Sequence, residues 1–130
     1  MAQTETRQTG TERYADAVTR YFAAWNASGD NAAGAVAAAF TEDATYTDPF
    51  SDVAGHEQLA AVIAATHAQF PGFVFRPLGE PDGHHDLVRF GWELVAPDGS
   101  APVAGSDVAT LAADGRIRCV SGFLDRVPAS

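Results

Sequence analysis

From Phe73 to Leu124 the chain reads FVFRPLGEPDGHHDLVRFGWELVAPDGSAPVAGSDVATLAADGRIRCVSGFL, and here the apolar period is two. Successive side chains of a strand point to opposite faces, so that period predicts strands. Four runs carry it: FVFRPLG (73–79), HDLVRFGWELVA (85–96), PVAGSDVATLA (102–112) and RIRCVSGFL (116–124). The breaks between them are turn chemistry, PDG at 81–83, PDGS at 97–100 and ADG at 113–115. Turns this short join neighbouring antiparallel strands as hairpins. On the second run Val88, Phe90, Trp92 and Leu94 form an apolar face predicted to point inward. Leu87, Arg89, Gly91 and Glu93 then face solvent or a subunit partner. On the third run the inward face is Val103, Asp107, Ala109 and Leu111, and the acid stands out. A buried carboxylate loses hydration worth several kcal/mol, so its pKa rises. Asp107 is therefore expected to be a neutral acid, a hydrogen-bond donor at neutral pH.

Upstream of Gly72 the period is helical. Tyr14, Val18, Tyr21, Phe22 and Trp25 predict an amphipathic helix over 11–28, stopped by Gly29. An alanine-rich helix follows over about 31–40, anchored by Val36 and Phe40. In FTEDATYTDPF (40–50), Thr45, Tyr46 and Thr47 favour a short strand that Pro49 ends. A third helix fits 56–69, burying Leu59, Val62, Ile63 and Phe70 and closed by Pro71-Gly72. Helices first and a meandering sheet afterwards give an α+β fold with the helices on one face. A curved sheet closed by three helices is a cone whose mouth is a ligand pocket. Trp25, Phe90, Trp92, Val103 and Ala109 are expected to line it. Residues 1–10 read as a disordered tail and 11–130 as a single domain.

Composition bounds the function. The chain has 130 residues, 46% hydrophobic and 19% charged, which suits one soluble domain with a substantial core. Its opening residues carry no apolar segment of a signal peptide, and no stretch approaches the length of a membrane span. The single cysteine, Cys119, fits a reducing cytoplasm and reads as a structural thiol. A net charge of −9 argues against nucleic acid and anionic membranes as partners. Metal binding has weak support. His84 and His85 sit at a turn and point to opposite faces. His56 reads as a helix cap, and His67 as a surface or pocket residue.

The segments RYFAAWNASGD (20–30), FTEDATYTDPF (40–50), Gly55 and SDVATLAADGRI (106–117) resemble the NTF2-like superfamily, in its SnoaL-like and ketosteroid-isomerase-like branch. The resemblance runs from about residue 12 to 125 and implies an NTF2-like cone. In ketosteroid isomerases a first-helix Tyr matches Tyr21, the proton-shuttling Asp before a Pro matches Asp48, and a late-strand acid matches Asp107. The chain departs in a longer interval between Tyr21 and Asp48. It also departs in Trp25, where an aliphatic residue is common, which implies a smaller pocket. The implied chemistry is proton abstraction next to a carbonyl. Asp48 is the base, and Tyr21 and protonated Asp107 donate to the enolate oxygen. A SnoaL-like polyketide cyclase uses much the same parts, and neither reaction needs a cofactor or metal. The expected ligand is a small apolar carbonyl compound, and the implied assembly is a homodimer through the exposed sheet face.

Each residue also has a plainer reading. Tyr21 fits a core tyrosine, Asp48 fits the start of an Asp-Pro turn, and Asp107 fits an ion pair with Arg89. A non-catalytic binding or dimerisation module therefore stands beside the enzyme. An epoxide hydrolase of the same fold is disfavoured, because it needs an Arg-x-Asp pair and Arg89 is followed two residues later by Gly91.

Overall fold

The computed structural model describes residues 10–128. Helix α1 spans Gly10–Asn26, and a single 3-10 turn at Gly29–Asn31 leads into α2, Ala32–Ala39. Strands β1 (Phe40–Asp48) and β2 (Ser51–Ala54) form a hairpin. Helix α3 covers His56–Gln69. Then come β3 (Val74–His84), β4 (Leu87–Val95), β5 (Val103–Leu111) and β6 (Ile117–Arg126). The six strands make one mixed sheet in the order β2-β1-β6-β5-β4-β3. Only the β1–β6 pair is parallel. This is the α+β cone expected, with α1 against β3, α3 against β1 and β2, and α2 between the two longer helices.

The apolar stripe of α1 is buried as its spacing predicts: Val18, Tyr21, Phe22 and Trp25 pack with Phe90, Val88 and Leu111 of the sheet. The inward face of β4 holds as well, with Val88, Phe90 and Leu94 buried and Arg89 exposed. Arg89 pairs with Asp82 at 3.2 Å on the outer face and does not reach Asp107. Histidines tie the helices down: His67 Nε2 donates to the Trp25 carbonyl at 2.7 Å, and His56 Nε2 to the Phe40 carbonyl at 2.9 Å. His56 is thus a cross-link to β1 and not a cap of its own helix.

Three expectations give way. Phe40 is the first residue of β1, fully buried, and not an anchor of α2. The strand expected at 45–47 is nine residues long and has a return strand, β2, because its parallel partner β6 supplies a ladder that local propensity does not see. Finally, PDG at 81–83 is strand and not the β3–β4 turn. The register shift falls between Leu78 and Asp82, where Pro81 lacks an N–H for the ladder. Pairing then resumes at Asp82–Arg89, and the chain turns at His85-Asp86, with His85 left-handed at φ 51°. PDGS and ADG remain turns, closed by Ala96 N–H to Ser100 O and Ala112 N–H to Arg116 O. The tail expected over 1–10 lies outside the described residues except for Gly10, which opens α1.

Candidate functional site

Between the inner face of the sheet and helices α1 and α3 lies a cavity of about 740 Å³. Its walls are aromatic: Trp25 stands 5.2 Å from Phe75 and 5.4 Å from Tyr46, and Phe75 is 5.5 Å from Trp92, between ring centroids. Phe50, 83% exposed, and Phe123 form an apolar rim. Of the expected lining residues, Trp25, Trp92 and Val103 line the cavity. Phe90 and Ala109 do not: they are packed in the core, with Phe90 4.9 Å from the ring of Tyr21. Among the described residues the lining includes no Lys, Arg or His, and its charged side chains are Asp48 and Asp107.

Asp107 is 2% exposed and faces this cavity from the middle of β5. Tyr21 donates its hydroxyl to Oδ2 at 2.5 Å, and the Trp92 indole donates to Oδ1 at 3.2 Å. Two glycines make room for these contacts. Trp92 lies opposite Gly105, and a Cβ there would collide with the indole. Asp107 lies opposite Gly122, where a Cβ would sit 2.7 Å from Asp107 Oδ1 and 3.5 Å from Asp48 Cβ.

Burial pushes the Asp107 carboxyl up from its ordinary 3.8 to about 6, and the two donors limit the rise. The rise expected from burial is therefore present, and the carboxyl changes charge close to neutral pH. The Tyr21 hydroxyl is held well above its ordinary value, first by burial and then by the Asp107 charge. Tyr46 is raised likewise, by burial and by its bond to Asp48. Both phenols stay protonated and donate.

Asp48 ends β1 and also lines the cavity. Its Oδ2 accepts the Tyr46 hydroxyl at 2.6 Å, and its Oδ1 accepts the Phe50 and Ser51 amides, each at 2.8 Å. The turn-starting role is thus real, and it coexists with a place in the cavity wall. Tyr21, Asp48 and Asp107 come together around one space, and there the phenols of Tyr21 and Tyr46 bond to the carboxylates of Asp107 and Asp48. Tyr46 was missed by the sequence reading, although it stands two residues before Asp48 on the same strand face. Cys119 is half-buried within β6, away from this lining. Among the described residues, no group of three or more His, Cys, Asp and Glu is placed to hold a metal ion. No helix among them is long and apolar enough to cross a membrane.

The profile of the SnoaL-like domain matches residues 18–120. A protein from Agrobacterium tumefaciens, provisionally named an isomerase of the SnoaL-like family, is 38% identical over 87% of this chain and 97% of its own, with a TM-score of 0.83. A Jannaschia protein provisionally named a SnoaL-like polyketide cyclase is 22% identical over 92% of this chain and 90% of its own, with a TM-score of 0.72. One from Sinorhizobium meliloti, provisionally named a polyketide cyclase, is 24% identical over 82% and 93%, with a TM-score of 0.66. The last two show the fold alone. No curated protein matches the chain.

Proposed function

The chain belongs to the SnoaL-like family, and we propose that it moves a proton next to a carbonyl in a small apolar compound, as an isomerase or cyclase. One observation carries this reading: a carboxylate buried at an apolar cavity and held by two donors, whose burial raises its pKa toward neutral. A base poised near neutral pH is what carbon-acid deprotonation requires. Asp107 takes the proton from carbon, the C–H electron pair becomes the enolate double bond, and the carbonyl π pair moves to oxygen. Protonated Asp107 no longer needs the Tyr21 hydrogen bond, so that hydroxyl turns to the enolate oxygen. Returning the proton to another carbon gives an isomer, and attack of the enolate on a second carbonyl gives a ring. The step consumes no electrons, so side chains alone complete it. With two carboxylates and, among the described residues, no cationic group in the lining, the favoured substrate is uncharged where it enters the cavity.

A second reading keeps the roles implied by the ketosteroid isomerases, with Asp48 as base and neutral Asp107 as oxyanion donor. The presence of Asp48 in the same wall supports it. The two readings predict opposite pH limbs: rates that rise through about pH 6 for an Asp107 base, and rates that fall there for an Asp107 donor. The test is deuterium uptake from solvent by a panel of uncharged ketones and enones, with wild type, Asp107→Asn and Asp48→Asn. Loss with Asp107→Asn alone supports the first assignment. No exchange with any compound leaves a binding module. Outside the cavity, exposed Val74, Leu78, Leu87 and Val108 on the outer face of the sheet support a homodimer through that face. Sedimentation of wild type against Val108→Glu tests it.

A further inference from the structure

Trp25 follows Tyr21 by one helical turn on the buried stripe of α1, so the two side chains are neighbours. Their ring centroids are 6.1 Å apart, and Trp25 is 5% exposed. Its indole N–H is fully shut from solvent and, among the described residues, is the one buried side-chain polar atom with no hydrogen-bond partner. A buried donor left unpaired costs free energy that a phenylalanine in the same place would not. The volume of the indole fills the aromatic wall, but its N–H contributes nothing to that packing. Two hydroxyl-bearing rings neighbour it, Tyr21 and Tyr46, and the oxygen on which the indole acts is that of Tyr21. The indole N–H favours negative charge there, against burial and the Asp107 charge.

We propose that Trp25 is a positioning residue whose N–H is held in reserve for the Tyr21 oxygen and bonds to it as Tyr21 gives up its own proton more fully. In the resting site that acceptor is Asp107, and in the reaction it is the enolate oxygen. The second step rests on the proton-transfer reading above; the first does not. A donor behind a donor polarises it, so the Trp25–Tyr21–Asp107 chain strengthens along its length. The other groups facing it are Tyr46 and Asp48 from β1, Trp92 from β4 and Asp125 from β6. None of these brings a positive charge that would do the same work.

The test uses the ligand-free protein. The Trp25 indole proton, followed by NMR from about pH 4 to 8, is expected to move upfield as Asp107 takes its proton near pH 6. In Tyr21→Phe, where Asp107 still titrates but the oxygen is gone, it is expected to stay still. In Trp25→Phe the Asp107 carboxyl midpoint, read by carbon NMR, is expected to rise by roughly 0.2–0.6 pH unit. An indole proton that does not move, or that moves equally in Tyr21→Phe, overturns the proposal whether or not Trp25→Phe folds. So does an unchanged Asp107 midpoint in folded Trp25→Phe. A failure of solvent exchange, by contrast, removes the reaction and leaves this coupling in place.

Discussion

Replacing Asp107 by Asn is expected to stabilise the protein at neutral pH and to leave it near wild type in acid. The carboxyl is 2% exposed, and its pKa rises from 3.8 to about 6 on folding. At 1.36 kcal/mol per pH unit, that difference is worth about 3 kcal/mol. The sign follows from where the proton is held. Below pH 3.8 both folded and unfolded chains keep it, and the contribution to stability is full. As pH rises the unfolded chain loses the proton first, and the contribution is gone once pH passes about 6. Asn does not titrate. It resembles the protonated acid in having one strong acceptor oxygen for the two donors Tyr21 and Trp92. Most other titrating groups contribute alike to wild type and variant and cancel in the difference. Urea unfolding of both proteins should therefore show Asp107→Asn gaining about 2–3 kcal/mol over wild type between pH 4 and 7.5. A difference that stays flat across that window would refute the burial argument, because it would mean that Asp107 titrates as it does in the unfolded chain.

Tyr21→Phe removes the 2.5 Å donor, so the Asp107 midpoint should move above 6, and the rising limb of the exchange rate should move up with it. A limb that stays in place would separate Tyr21 from the titrating group. Gly122→Ala places a methyl 2.7 Å from Asp107 Oδ1 and should cost about 1–3 kcal/mol in thermal or urea unfolding, with exchange activity lost. Gly105→Ala meets the Trp92 ring and the Phe123 carbonyl, so a similar loss is expected. There the Trp92 N–H should also be pushed from Asp107 and raise its midpoint, which carbon NMR of the carboxyl would read.

Alternation along 103–111 was enough to place Asp107 inward, because a one-residue slip would expose Ala109 and Leu111 and bury Val108. Helical spacing placed Tyr21 and Trp25 on the same buried stripe. What escaped was set by partners distant in sequence. The length of β1 depends on its parallel neighbour β6, and the β3–β4 turn depends on where a proline lets the ladder slip. Phe90 and Ala109 show a finer limit. They share the inward face with Trp92 and Asp107, but alternation cannot say which end of that face meets the core and which meets the cavity.

How far the Asp107 pKa rises escaped for a related reason, and it matters most for function. Burial alone argues for a neutral acid, and an apolar strand face is all that alternation reveals. The state at pH 7 is decided by how many donors reach the carboxylate, and those come from α1 and β4, 86 and 15 residues away in sequence. The β4–β5 register sets Trp92 opposite Gly105, two residues from Asp107, and the missing Cβ lets the indole lie across the strand. With Tyr21 and Trp92 both in place the acid ionises near pH 6. With either removed it moves toward the neutral donor that the resemblance to ketosteroid isomerases implies. On the proposed proton-transfer reading, base and donor are two settings of one residue, and the donors around Asp107 select between them.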